Sequence, residues 1–446
     1  MTIRDSFSGR FGIIAAAAGS AIGLGNIWRF PYLCGQNGGG AFVLLYLICI
    51  VLMGLPIMLA EFSIGRKAQS NAYRAFKVLA PRKPWYMIGV MGIVASFTIM
   101  SFYSAVGGWT IEYIIRSVSN TMSISGDHTE QFNSFISGSY KPLAYQFAFL
   151  VLSFAIVMMG VRKGIESSSK ILMPLLLILL IILCIRSVTL PGATEGLNFL
   201  LKPDFSKLTG NSILLAMGQA FFSLSLGMGC MITYGSYIKR KEDLTSSAGM
   251  IAGADALIAL LAGVAIFPAA FALGIEPDSG AGLAFITLPG MFEKMAGGMI
   301  FSTFFFTLLC IAALTSSISL IEVVVSFCVE EMRIRRGPAT ALVAGCIFLL
   351  GTLCSLSLGI IPGLELFGLN FFDLMDYISS NLLLPIGGFF ISIYVGWVLQ
   401  KRITVKELTS DGTVRFTGLR IFYFLIKYIV PVAILTVFIS KFLQVG

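Results

Sequence analysis

The sequence predicts an all-α, polytopic membrane protein of eleven transmembrane helices, with helices 1 and 6 broken. Three observations carry this. Of the 446 residues, 57% are hydrophobic and 12% charged, and the mean hydropathy is +0.90, which lies well outside the composition of a soluble domain. The apolar residues gather into runs of about 20, the length a helix needs to cross ~30 Å of hydrocarbon. Two of these runs, five apart, carry the same glycine interruption, Gly23-Leu24-Gly25 and Gly227-Met228-Gly229.

The runs fall near residues 11–33, 39–63, 86–115, 143–160, 168–189, 212–238, 247–274, 297–329, 338–360, 371–399 and 419–443, and are numbered here as helices 1 to 11. The first could pass for a signal peptide, because Arg4 and Arg10 precede an alanine-rich core. The polar and aromatic residues that follow form no small-residue cleavage site, so it is kept as helix 1.

A net charge of +9 would suggest nucleic acid as a partner of a soluble protein. Here the positive residues read as topology. Starting inside, the inner segments hold Arg4, Arg10, the stretch 66–83, Arg162, Lys163, Lys170, Lys239 to Lys241, Arg333 to Arg336 and the stretch 401–420, most of the 31 Lys and Arg. The positive-inside rule then sets a cytoplasmic N-terminus and, with eleven spans, an extracytoplasmic C-terminus, which suits a multi-pass protein of a bacterial inner (plasma) membrane. No Walker-type phosphate loop is present, the eight cysteines show no metal or disulfide spacing, and the single histidine, His128, sits in an outer loop. Enzyme chemistry therefore finds no constellation of nucleophile, base and metal.

Helix 1 contains GSAIGLGNIWRFP, residues 19–31, in which Gly19, Gly23, Gly25, Asn26, Arg29 and Pro31 weaken or cap helical structure. An unwound turn survives in a bilayer only where protein or a cavity satisfies its backbone. Its freed carbonyls can ligate a cation and its amides a carboxylate. Helix 2 ends in Glu61 and Arg66, and the buried carboxylate is expected to meet polar backbone near the helix 1 break. In helix 3, Tyr103 needs a hydroxyl partner, which a ligand or that break can supply. Gly164 and Pro174 mark a weak inner end of helix 5.

Helix 6 carries Ser223 and Ser225 one turn before its own break. Matched breaks five spans apart place two five-helix sets in opposite orientation, the pattern of a secondary transporter. The organisation expected is a first inverted repeat over 1–190, a second over 191–405, and an additional helix 11 over 406–446. Helix 7 buries Asp255, which must be paired, protonated or bound to a cation. Helix 8 offers the hydroxyls of Thr315 and Ser316, hard oxygen donors. Arg29 with Asp373 and Asp376 at the outer mouth, and Arg4 with Glu330 and Glu331 at the inner, would make two charged gates.

The motifs GLGNIWRFPY and NGGGAF in helices 1 and 2, FFSLSLGMG in helix 6 and LTSSIS in helix 8 resemble the bacterial neurotransmitter:sodium symporter family, which includes bacterial leucine, tryptophan and tyrosine transporters, over nearly the whole chain. Inverted repeats with broken helices are a known feature of that family. The resemblance implies two sodium ions as coupling ions and no other cofactor. Sodium site 1 would use Ala21, Asn26, Ser223 and Asp255 with the substrate carboxylate. Site 2 would use the backbone of Gly19, Ile22 and Ala312 with the hydroxyls of Thr315 and Ser316. All-oxygen ligation suits a hard cation.

Gly23 stands where the family's amine transporters carry an aspartate, so the substrate must bring its own carboxylate. The resemblance thus implies a hydrophobic, aromatic or aliphatic, L-amino acid bound by Ala21, Gly23, Leu24, Gly25, Ile99, Tyr103, Phe222, Ser223, Ser225, Met228, Ser316 and Leu320. Animal relatives place asparagine at the Asp255 position and bind chloride nearby, with a serine where this chain has Ala259; chloride independence is therefore expected. The outer gate would pair Arg29 with Asp376 under a lid of Tyr103 and Phe222, and the inner gate Arg4 with Glu330 near Ser236 and Tyr237. Gly164 and Pro174 would allow inner unwinding of helix 5. The function expected is sodium-coupled import by alternating access. The alternative is an amino-acid-binding membrane sensor or channel-like protein on the same scaffold. Either a monomer or a homodimer is compatible with the sequence.

Overall fold

The computed structural model describes residues 5–121, 127–274, 284–361 and 363–444. Among these, nine helices are long and apolar enough to cross a bilayer: Gly40–Ala68, Tyr86–Val118, Lys141–Met158, Val161–Val188, Leu244–Ala272, Gly298–Glu331, Arg336–Ser357, Phe371–Val398 and Leu419–Thr436, which are helices 2 to 5 and 7 to 11. Helix 1 makes a tenth as a pair, Arg10–Ala21 and Gly25–Gln36, bent by 51° at the break. The run expected as helix 6 is two pieces, Gly210–Ser223 and Cys230–Gly235, with irregular backbone between them. Neither piece is long enough to cross ~30 Å alone, so a count of eleven depends on their forming one broken span.

Helix 8 is the central mast. In its most apolar stretch 89% of residues are buried, against 28% in helix 5, so helix 8 is surrounded by protein while helix 5 shows lipid one flank. Helices 3 and 8 pack along each other, and the inner half of helix 1 lies against helices 5, 7 and 8. Short helices lie between the spans: Ala72–Leu79, His128–Ile136, Ala193–Leu201, Thr287–Lys294 and Lys401–Leu408. A two-stranded hairpin, Glu365–Leu366 with Leu369–Asn370, precedes helix 10.

The helix 4 to 5 connection is tighter than the hydropathy runs predict. Helix 4 stops at Met158 and helix 5 starts at Val161, turned by Gly160 at φ +90°, a conformation that favours glycine. Gly164 is inside helix 5, in a wide π-type turn over Val161–Glu166, and Pro174 is also within the helix. The inner end of helix 5 is thus wound in this structure, with both weak points built into it.

Candidate substrate and ion sites

The helix 1 break lies at Ile22 to Leu24, with Ile22 extended at φ −79°, ψ 99°. Its freed backbone groups are met by side chains from helices 3, 6 and 8 and by Asn26 of helix 1 itself, as burial in a bilayer requires. Gln219 donates to the Gly25 carbonyl at 2.7 Å, and Ser225 and Ser316 donate to the Ser20 carbonyl at 2.8 and 3.1 Å. The Leu24 amide donates to the Tyr103 hydroxyl at 3.2 Å, and the Gly23 amide to Asn26 Oδ1 at 3.3 Å. Tyr103 is therefore tied to the break itself.

The helix 6 break runs over residues 224–229, with Ser225, Gly227 and Gly229 all at positive φ. At Gly227 a Cβ would come within 2.5 Å of the Leu384 carbonyl, so both conformation and space require glycine. Glu61, fully buried, accepts from the Gly227 amide at 2.8 Å. The expectation that Glu61 serves the helix 1 break is corrected: its partner is the helix 6 break, because helix 2 packs along the inner half of helix 6. Glu61→Gln retains an acceptor for that amide, so its melting temperature is expected to stay near wild type. Glu61→Ala orphans the amide and is expected to cost about 1–3 kcal/mol, visible as a lowered melting temperature in detergent.

Between the two breaks is a small cavity lined by Ser20, Ala21, Gly23, Gly25, Ile99, Tyr103, Phe222, Ser223, Ser225, Met228, Ser316 and Leu320. Every residue expected to bind substrate lines it except Leu24, which is buried and reaches Tyr103 through its amide; Ser20 is the addition. The cavity measures about 20 Å³, room for roughly one water.

Beside it, Asn26, Ser223 and Asp255 meet, joined by Tyr46 of helix 2. The fully buried Asp255 carboxylate accepts from Asn26 Nδ2 at 2.8 Å, from the Tyr46 hydroxyl at 2.8 Å and from Ser223 Oγ at 3.1 Å. Tyr46 lies 2.9 Å from Ser223 Oγ. In sequence Tyr46 was marked by no more than a lone tyrosine in an aliphatic run.

On the opposite side of helix 1, Ser316 Oγ is 3.5 Å from the Gly19 carbonyl, and Thr315 Oγ1 is 3.1 Å from the carbonyls of Ile311 and Ala312. A Cβ on Gly19 would sit 3.4 Å from Thr315 Cβ and 3.3 Å from Met173 Sδ. Gly19, Ala312, Thr315 and Ser316 are therefore gathered, with Met173 of helix 5 against Gly19.

At the outer mouth, no ion pair joins Arg29 to Asp376 in this structure. The Arg29 guanidinium lies 5.0 Å over the Phe222 ring, and Asp376 accepts from Ser380 at 2.8 Å. At the inner mouth, Arg4 lies outside the described residues. Glu330 accepts from the Asn71 amide at 2.9 Å and its side chain at 3.1 Å. Ser236 caps its own turn through the Thr233 carbonyl, and Tyr237 donates to Glu322 at 2.6 Å. Glu322, fully buried, also pairs with Arg336 of helix 9. This second inner cluster was signalled in sequence only by a glutamate inside the apolar run of helix 8.

Two broken helices around a small cavity, flanked by buried clusters of hard oxygen donors, define a membrane transporter. The chain belongs to the sodium:neurotransmitter symporter family, whose model matches residues 4–135 and 131–446. It is 40% identical over 436 residues to the sodium-dependent transporter YhdH of Bacillus subtilis, covering 97% of each chain. It is 41% identical to a sodium-dependent transporter of Haemophilus influenzae, covering 98% of each. It is 33% identical to a sodium-dependent transporter of Methanocaldococcus jannaschii, covering 89% of this chain and 82% of that one. The crystal structure of MhsT in complex with L-phenylalanine superimposes with a TM-score of 0.91 at 44% identity, covering 98% of this chain and 100% of that one. The protein is a sodium-dependent, multi-pass membrane transporter, and its named relatives are transporters.

Proposed function

We propose that this protein imports a hydrophobic L-amino acid, coupled to two sodium ions, by alternating access. The observation that carries the reading is the small cavity between the breaks: apolar walls of Ile99, Phe222, Met228 and Leu320, with the unwound backbone of helix 1 and the hydroxyls of Tyr103, Ser223, Ser225 and Ser316 as its polar part. An α-amino acid supplies the complementary charges. Its carboxylate meets the helix 1 amides, the Tyr103 hydroxyl and a sodium ion held by Ala21, Asn26, Ser223 and Asp255; its ammonium meets carbonyls of the two breaks. A second sodium ion is held by Gly19, Ile22, Ala312, Thr315 and Ser316. The apolar walls and the likeness to a phenylalanine-bound structure support an aromatic substrate over a short aliphatic one, and Met228 can adapt to a ring.

Each of the inverted repeats, 1–190 and 191–405, contributes one of the two broken helices, with the N-terminus inside. Arg29, Asp376, Tyr103 and Phe222 close the outer side; Arg4, Glu330, Ser236 and Tyr237 the inner; Gly164 and Pro174 let helix 5 loosen toward the second sodium site. Sodium and substrate bias the equilibrium only through differential affinity for its states. Asp255, an anion fixed among three donors, compensates sodium charge, so transport proceeds when chloride is replaced by gluconate.

The test is equilibrium binding of labelled L-phenylalanine with sodium against potassium. Sodium-dependent binding, displaced by hydrophobic but not by acidic amino acids, is expected. Binding indifferent to sodium would overturn the coupling. In the same assay Tyr103→Phe leaves the Leu24 amide without its acceptor and is expected to weaken substrate about ten-fold, with sodium affinity measured without substrate unchanged.

A further inference from the structure

The inner end of helix 5 is fastened to the start of the chain by one side chain. Glu166, which is 1% exposed, accepts from the Ser8 amide at 2.9 Å and from the Ser8 hydroxyl. Lys170, one turn on, donates to Glu166 at 2.6 Å and to Ser8 Oγ at 3.1 Å. Gly12 lies flat on this carboxylate: a methyl group there would land on Glu166 Oε1. Ser8, Gly12, Glu166 and Lys170 form a closed set joining residues about 158 positions apart.

The segment bearing Glu166 and Lys170 is the part of helix 5 least able to hold itself. It opens with the wide turn Val161–Glu166, and Pro174 has no amide to donate to the Lys170 carbonyl, so one backbone bond of this turn is missing. It also carries Met173 against Gly19, over the Thr315 cluster. The same N-terminal stretch packs Phe7 edge-on against Tyr234 and Tyr237 of the inner half of helix 6.

We infer that Glu166 is a positioning residue whose bonds to Ser8 and Lys170 make release of the N-terminal segment and loosening of the inner turn of helix 5 a single event. This rests on the alternating-access reading, in which the inner ends of helices 1 and 5 separate. Coupling of this kind is reciprocal: a change on the N-terminal side must loosen helix 5, and a change on helix 5 must free the N-terminal segment. Ser8→Ala removes one donor, Gly12→Ala wedges the contact without altering charge, and Glu166→Gln removes the ion pair with Lys170 but keeps an acceptor for Ser8.

The experiment is amide hydrogen exchange on the full chain in lipid nanodiscs with sodium present, read at residues 161–170 of helix 5, with a spin label at Asp5→Cys reporting N-terminal mobility. Loss of a charged hydrogen bond predicts roughly ten-fold faster exchange in helix 5 in Ser8→Ala and Gly12→Ala, although neither substitution is on that helix, and a more mobile label in Glu166→Gln. A mobile label with unchanged helix 5 exchange in Ser8→Ala and Gly12→Ala would overturn the coupling. So would unchanged signals in all three variants. No transported solute is needed, so failure of the substrate assignment leaves this test readable; melting temperature identifies any variant that fails to fold, and Ser8→Ala, which only trims a hydroxyl, serves if Gly12→Ala does.

Discussion

Asp255→Ala is expected to lower sodium affinity by two to three orders of magnitude and to abolish sodium-driven uptake. The carboxylate is fully buried and is the common acceptor for Asn26, Tyr46 and Ser223. Removing one member of such a buried charged network costs about 3–5 kcal/mol, where 1.4 kcal/mol is a factor of ten. Part of that loss is in the fold, since three donors are left facing each other. The rest is in the ion, which loses its compensating negative charge in a medium where charge is poorly screened. Asp255→Asn, which keeps an oxygen and loses the charge, is expected to fall between the alanine variant and wild type. Sodium titration of protein melting, with no amino acid present, separates the effect on the ion from that on the substrate.

Gly23→Ala is expected to remove amino acid binding. The added methyl would collide with the Ser316 hydroxyl and reach within 2.9 Å of the Tyr103 hydroxyl, inside a cavity of about 20 Å³. Both hydroxyls are held by backbone of helix 1, Ser316 on the Ser20 carbonyl and Tyr103 on the Leu24 amide, so neither can yield without freeing a buried backbone group. Gly249 and Gly253 in helix 7 provide the control, because nothing lies within 4 Å of a Cβ at either. Alanine there is expected to leave binding intact and to stabilise the helix by up to about 1 kcal/mol. Substrate binding by Gly23→Ala at wild-type affinity would place the amino acid elsewhere.

The parts of this arrangement legible in sequence are those where composition must break a rule to serve the site. Glycines at 23, 25, 227 and 229 interrupt apolar runs that would otherwise be continuous helix, and Asp255 is a charge where lipid composition forbids one; each announced itself. Tyr46 and Gln219 did not, because a single polar tip on a largely apolar helix is ordinary, and only the folded chain shows Tyr46 on Asp255 and Gln219 on the Gly25 carbonyl. Glu61 was visible as a buried acid, yet its partner was misassigned, since sequence cannot say which of two broken helices packs against helix 2. The same holds at the mouths. Charge pattern suggested Arg29 with Asp376, whereas the guanidinium lies on Phe222. Glu322 and Glu166 close inner networks through residues distant in the chain, Tyr237 at 85 positions in one case and Ser8 at 158 in the other.

Coupled, concentrative transport of an amino acid is what separates a symporter from a sensor or channel on this scaffold. Uptake of labelled L-phenylalanine into proteoliposomes, driven by an inward sodium gradient with potassium as the control, tests it most directly. Accumulation above equilibrium is expected, needing sodium, persisting in gluconate and collapsing when the sodium gradient is dissipated. Sodium-dependent binding with no accumulation would contradict it and leave a sensor or channel-like protein built on a transporter's scaffold.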